Sequence, residues 1–278
     1  MLSSKGKMSD YSLEFKVTNG LSYYISSLLL EKHGILVVFT TRRGGVSAEP
    51  YASLNLAFHV GDDRDCVLKN REILCNTLGI DLKRMVCAEQ VHGASVALVD
   101  EKAVGKGAFS IDESIPDTDS LVSGQENIPL ALFFADCVPV ILVEPKRRMI
   151  AVVHAGWKGI YKDIISNTLK LMSFDKSLDK KNLLAFIGPS IGVCCFKAGT
   201  ELVRNFSARF NGRDWLQKDR IDLRSLVKRQ LIKNFVLPKN IYACDNCCTS
   251  CRKDTFFSYR AEGSKTGRQA AMAMICSQ

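Results

Sequence analysis

Apolar positions along the chain fall into short runs broken by one or two polar residues, and the period within each run predicts its element. Ile35 to Thr40 is β-branched and aromatic and stops at Gly44-Gly45, which predicts a strand entering a tight loop. Val67, Arg71, Leu74 and Leu78 recur at helical spacing between Asp62 or Asp63 as N-cap and Gly79 as C-cap, predicting an amphipathic helix packed on a sheet. Met85 to Val99 reads as two strands parted by a turn or bulge at Gly93, and Ile128 to Glu144 as two strands parted at Asp136-Cys137. Met149 to Val153 predicts another strand, after which His154-Ala155-Gly156-Trp157 turns into a helix with Ile160, Ile164, Thr168 and Met172 on one face. Strands follow at Leu183 to Gly188, Ile241 to Cys244 and Ala270 to Ile275. Leu202, Val203, Phe206 and Phe210 mark one helix, and Leu223, Leu226, Val227, Gln230 and Asn234 another. Strands and helices intersperse without strict alternation, which favours a mixed α+β fold over a doubly wound parallel one.

No Pro/Gly/Ser-rich linker and no repeat divides the 278 residues. The expected organisation is a loose N-terminal segment, 1–20, and one domain, 21–278. Apolar residues at 46% and charged residues at 24% exclude a disordered or coiled-coil architecture. The longest apolar stretch, Ile128 to Val143, carries Asp136 in its middle, and no apolar run precedes Leu21, so neither a membrane span nor a secretory signal is expected and the compartment is read as cytoplasmic. The eleven cysteines are odd in number and four sit in CDNCCTSC, a pattern that suits reduced thiols and metal ligation better than a disulfide framework. A net charge of +9, spread as patches at Lys146 to Arg148, Lys176 to Lys181 and Lys218 to Lys233, attracts anionic ligands. With no aromatic-interleaved basic motif and no zinc-finger spacing, a phosphate-bearing small molecule is expected rather than nucleic acid.

Polar side chains inside the apolar runs are the candidates for chemistry. His92 and His154 stand at predicted strand ends beside glycines, where site residues are commonly carried. Cys137 lies next to Asp136 in the otherwise apolar segment FFADCVP, and a buried carboxylate needs a partner. Two histidines and a cysteine form a three-ligand set that suits catalytic zinc, leaving a fourth position for water or substrate, with Asp136 as the carboxylate that orients a ligand. On chemistry alone the alternative is a buried cysteine with two structural histidines. The loop TTRRGGVS sets Arg42 beside glycines whose backbone can approach a phosphate, or else is a turn with solvated arginines. Asn55 carries a weaker signal. CDNCCTSC holds two overlapping CxxC pairs, Cys244 with Cys247 and Cys248 with Cys251. Adjacent Cys247 and Cys248 would need a strained backbone to reach one ion, so a reduced, oxidation-prone turn is preferred there to a tetrathiolate zinc.

Taken in order, FTTRRGGVS, SLNL, EQVHG, DTDSLVS, ADCVPVIL, HAGWKG, GPSIGVCCF and FFSYR…TGRQA resemble the laccase-domain (YfiH-like) family over roughly Ile35 to Ile275. That family was once called multicopper polyphenol oxidases and has since been described as zinc-dependent purine nucleoside phosphorylases. The resemblance implies mixed sheets packed face to face with helices outside, and a metal on His92, Cys137 and His154. It implies that Arg42 and Asn55 line the substrate pocket, with Gln90 and Asp136 beside the metal. It further implies phosphorolysis of adenosine, inosine, guanosine and methylthioadenosine, with adenosine deamination as a second activity. Copper in place of zinc, serving phenol oxidation, is the older alternative; one blue-copper centre would take two histidines of the four and leave at most two for an oxygen-reducing cluster. A Cys137 nucleophile with His154 as base, as in a hydrolase or deamidase, is another. The chain departs from the family pattern at Val193 and Lys197, where proline and glutamate are common.

Overall fold

The computed structural model describes residues 11–173, 181–244 and 246–277. In chain order the elements are β1 (Glu14–Thr18), β2 (Leu21–Ile25), α1 (Ser27–His33), β3 (Ile35–Thr40), α2 (Arg64–Leu78), β4 (Val86–Cys87), β5 (Val96–Leu98), β6 (Ser120–Ser123), β7 (Leu130–Phe134) and β8 (Val138–Glu144). They continue with β9 (Met149–Ala155), α3 (Trp157–Tyr161), α4 (Ile164–Met172), β10 (Leu184–Ile187), α5 (Thr200–Arg209), β11 (Leu216–Gln217), β12 (Arg220–Ile221), α6 (Leu223–Lys233), β13 (Ile241–Ala243), α7 (Tyr259–Glu262) and β14 (Gln269–Ile275). Of the N-terminal segment expected to be loose, residues 1–10 lie outside the described residues, as does most of the Lys176 to Lys181 patch; 14–18 form β1, an edge strand that exposes Phe15 and Val17.

Two six-stranded mixed sheets form the centre, ordered β1-β2-β3-β14-β7-β4 and β13-β10-β8-β9-β6-β5. They pack face to face, as expected. Ile35, Val37 and Phe39 of β3 point inward with Leu130, Leu132 and Phe134 of β7 to meet Ile141, Val143, Ile150 and Val152 of the second sheet. The alternate residues Leu36 and Val38 pack outward against Leu74 and Cys75 of α2, while Val140, Leu142 and Val153 pack outward against Ile164, Leu169 and Leu226 of the helices on the other side. Covering both faces of each sheet is why the central strands read as continuous apolar runs rather than as alternation.

Helix α2 keeps its expected bounds, because the Asp63 carboxylate accepts from the Asp65 and Cys66 amides and Gly79 takes the left-handed C-cap conformation. The single helix expected after His154 is two. Asp163 adopts φ 58° between α3 and α4, where its carboxylate accepts from Gln230 Nε2 at 2.9 Å and Arg209 Nη2 at 2.6 Å. These contacts with α6 and α5 outweigh helical continuity, yet Ile160, Ile164, Thr168 and Met172 are all buried as their spacing implied. Strand β2 and helix α1 had no sequence forecast.

Candidate metal centre

Three connections deliver the central side chains to one end of the sandwich. His92 lies between β4 and β5, which belong to different sheets, and Asp136-Cys137 is the crossing from β7 in one sheet to β8 in the other. His154 ends β9 just before α3. His92 and Asp136 are left-handed at φ 57° and 89°, the bends that turn the chain at those two points. The candidate ligand atoms of His92, Cys137 and His154 lie within 4.8 Å of one another. The close approach needs glycine at 156, where a Cβ would lie 3.1 Å from Cys137 Sγ and 3.3 Å from His92 Cδ2.

The carboxylate that orients this set is Asp119, and it was not singled out in the sequence. Its Oδ1 lies 2.7 Å from His154 Nδ1 and accepts from the His92 amide at 3.0 Å, while Oδ2 accepts from the Gly93 amide at 2.6 Å. Burial alone would raise the Asp119 pKa, but the hydrogen bond and charge of His154 hold it below the usual value. An ionised carboxylate only accepts, so it fixes a proton on His154 Nδ1 and turns Nε2 toward the cluster, where Nε2 must give up its own proton before it can ligate a metal. Burial alone would also raise Cys137 and lower His154. Their mutual attraction reverses both shifts, aided by His92 on the thiol and Asp119 on the imidazole, drawing the thiol to about 6 and lifting the imidazole to about 9. Cys137 is therefore a thiolate near neutral pH, the form that binds metal or acts as nucleophile. A half-buried thiolate, two imidazoles and a carboxylate behind one of them match zinc's donor preference and leave a coordination position open.

Asp136 does not take the role expected of it. Its Oδ1 accepts from Thr249 Oγ1 at 2.5 Å and Ser258 Oγ at 2.7 Å, and its Oδ2 from the Arg260 amide at 2.7 Å. The partners of this half-buried carboxylate are Thr249 and the chain at the start of α7, not a histidine.

The centre faces a cavity of about 530 Å³. Phe133, Trp157, Ile191, Phe196 and Tyr259 give it apolar walls; Gln90, Arg260 and Arg268 give it polar ones. Gln90 is fixed by two hydrogen bonds to the Phe133 backbone, at 2.9 and 2.8 Å. His59 and Arg268, neither anticipated, stand where this cavity meets a second one containing Lys265. Burial, then the charge of Arg268, lowers the His59 pKa to about 4, keeping it neutral.

Arg42 and Asn55 lie behind the wall rather than on it. The Arg42 guanidinium is taken up by Glu262 at 2.6 Å and by the Lys253 and Ala52 carbonyls, and it borders a separate groove. Buried Asn55 accepts from the Arg268 amide at 2.9 Å and donates to Asp62. One braces α7 and the other braces the loop carrying Arg268. A motif records that such residues matter together, but not which of them faces the cavity. Asp119 was signalled faintly by an acidic pair, Asp117 and Asp119, immediately before an apolar strand.

Among the described residues no helix is long and apolar enough to cross a membrane. Residues 36–276 match the family model described as multi-copper polyphenol oxidoreductase laccase. The chain is 35% identical over 245 residues to purine nucleoside phosphorylase YlmD of Geobacillus stearothermophilus, spanning 86% of this chain and 89% of the relative. Adenosine deaminase RL5, from an unknown prokaryotic organism, is 34% identical over 241 residues, covering 83% and 90%. The crystal structure of YlmD from Geobacillus stearothermophilus superposes with a TM-score of 0.88 at 31% identity over 96% of this chain and 100% of that one. A match that runs from β3 to the end of β14 in sequence, and across both sheets in space, means that the chain belongs to the multi-copper polyphenol oxidoreductase laccase family.

Proposed function

We propose that the protein is a cytoplasmic zinc-dependent purine nucleoside phosphorylase acting on adenosine, inosine, guanosine and methylthioadenosine, with adenosine deamination as a second activity. The observation that carries this is the His92, Cys137 and His154 set, oriented by Asp119, at the head of a cavity of about 530 Å³, a size suited to a nucleoside. Zinc held by these three residues would supply a Lewis acid with one position open to water or a substrate oxygen.

The remaining roles follow from the chain itself. Phe196, Tyr259 and Phe133 offer aromatic surface for the purine, and Gln90, held rigid, offers it a fixed amide. Phosphate is placed against Arg268 at the junction of the two cavities, with Lys265 adding charge from the second. In phosphorolysis a phosphate oxygen bonds to ribose C1′ while the bond from C1′ to the purine nitrogen breaks, giving ribose 1-phosphate and free base. Positive charge develops on the sugar meanwhile, and the Asp136 carboxylate on the cavity wall is an anion that is not one of the proposed zinc ligands. Deamination replaces the purine amino group by water's oxygen and releases ammonia; the 34% identity to adenosine deaminase RL5 supports this second reading.

Zinc is favoured over copper because a multi-copper cluster needs more imidazoles. Of the other two histidines, His33 is on α1, bonded to the Tyr11 hydroxyl, and His59 is on the cavity wall outside the ligand cluster. The test is to incubate the purified protein with each nucleoside, with and without phosphate, and to separate the products by liquid chromatography. Phosphate-dependent release of base is expected, together with inosine from adenosine when phosphate is omitted. Equal release without phosphate would mean hydrolysis, and no release from any purine nucleoside would overturn the assignment.

A further inference from the structure

Outside the cavity, two loops bring together four further thiols. Cys194 and Cys195 lie in the turn after β10, and Cys248 and Cys251 in the segment between β13 and α7. Their sulfur atoms all lie within 4.8 Å of one another, with Cys251 Sγ 3.5 Å from Cys194 Sγ and 3.3 Å from Cys195 Sγ. A disulfide requires about 2.05 Å. Tetrahedral zinc with bonds of about 2.3 Å sets neighbouring sulfurs about 3.8 Å apart. The cluster is therefore spaced as ligands of one ion rather than as bonded pairs. The neighbouring Cys244 and Cys247 instead pair with each other as a disulfide, correcting the expectation that the cysteines of CDNCCTSC are all reduced. The backbone strain foreseen for Cys247 beside Cys248 does not arise, since only Cys248 of the two joins the cluster.

The backbone is built for this approach. The Ser190 amide donates to the Cys247 carbonyl and the Thr249 amide to the Ser190 carbonyl, at 3.2 and 3.1 Å, clamping the two loops together. The Gly192 amide donates to Cys248 Sγ at 3.2 Å, support that a metal-bound thiolate accepts. Any side chain at 192 would press on the cluster, since a Cβ there lies 3.1 Å from Cys194 Sγ.

We propose that Cys194, Cys195, Cys248 and Cys251 form a second, tetrathiolate zinc site. With all four positions filled by protein it is structural, and the thiol protons are released to solvent on binding. It staples the loops that shape one wall of the cavity. The Ile191 amide donates to the Asp136 carbonyl at 2.9 Å, Thr249 reaches the Asp136 carboxylate, and Arg260 Nη1 donates to the Cys195 carbonyl at 3.0 Å.

Metal analysis of the full-length protein, purified under reducing conditions and loaded with zinc, tests this. About two zinc ions per chain are expected, falling to about one in Cys137→Ala and to about one in Cys248→Ser/Cys251→Ser, with Cys66→Ser as control. A double variant that keeps all the wild-type metal overturns the second site. Metal lost from the double variant but not from Cys137→Ala upholds it and sinks the His92 centre instead. Because the double variant can fail to fold, the wild-type chain supplies an independent measurement. Exposed Cys194 and Cys251 should resist iodoacetamide until a chelator is added, as read by peptide mapping. Equal alkylation before and after chelation, or a disulfide joining Cys251 to Cys194 or Cys195 in the purified protein, overturns the proposal.

Discussion

Asp119 concentrates more of the site's geometry than any of the three proposed ligands does, since it holds the His154 ring and the backbone on which His92 is mounted. Asp119→Asn should weaken zinc binding about 10- to 100-fold, measured by competition with a chromogenic chelator. The same residue sets a pH dependence. Its folded pKa is depressed below the usual 3.8, so its stabilising contribution is present above that value and is lost as pH falls through the folded one. Urea midpoints of metal-free wild type and Asp119→Asn, separate at about pH 6, should therefore converge below about pH 4. Two arginines make a contrasting pair. Arg268→Ala should raise the phosphate KM about 10- to 100-fold, as expected for loss of a charge-assisted contact, with the nucleoside KM little changed. Arg42→Ala removes a brace of α7 and should move both constants together. Initial rates over a grid of the two substrates distinguish these outcomes, and a selective loss of phosphate affinity in Arg42→Ala would restore the loop to the pocket. His92, Cys137 and His154 were legible because polar groups inside apolar runs stand out. Asp119 and Arg268 were not, because a carboxylate before a strand and an arginine in a loop have many ordinary reasons to be there.

Among elements, those with local caps were the legible ones. Helix α2 begins and ends where Asp63 and Gly79 require, and Asp63→Ala should lower the urea unfolding midpoint through loss of the Asp65 and Cys66 amide contacts. The shift should fall on stability alone, since no residue of α2 borders the cavity. Helices α3 and α4 show the opposite case. The apolar stripe runs through both without a break, but the partners that hold Asp163 left-handed come from α5 and α6, far along the chain. Strand β1 escaped notice because an edge strand with an exposed face has no apolar pattern to show.

At the scale of the whole molecule, the two sheets share one inner core and each has a separate outer core beneath helices. Phe39 is 1% exposed within the shared layer, and its ring leaves no room for a side chain at Gly188, where a Cβ would lie 2.3 Å from it. Phe39→Ala should therefore destabilise by about 3 to 5 kcal/mol, measured by urea unfolding, because two close-packed sheets cannot collapse into the space. Strand order was beyond the sequence: β14 inserts between β3 and β7, and nothing local to residues 269–275 names those neighbours.

The left-handed backbone at His92 and Asp136 sets selection for the site against selection for the fold. Most side chains avoid that conformation, and glycine adopts it freely. Elsewhere in this chain glycine takes such bends at Gly34, Gly61 and Gly79, while Asp163 takes one held by its contacts with α5 and α6. If the proposed centre is what keeps histidine at 92, then His92→Gly, which relieves that bend, should lose the metal while leaving the urea midpoint of the metal-free chain little changed.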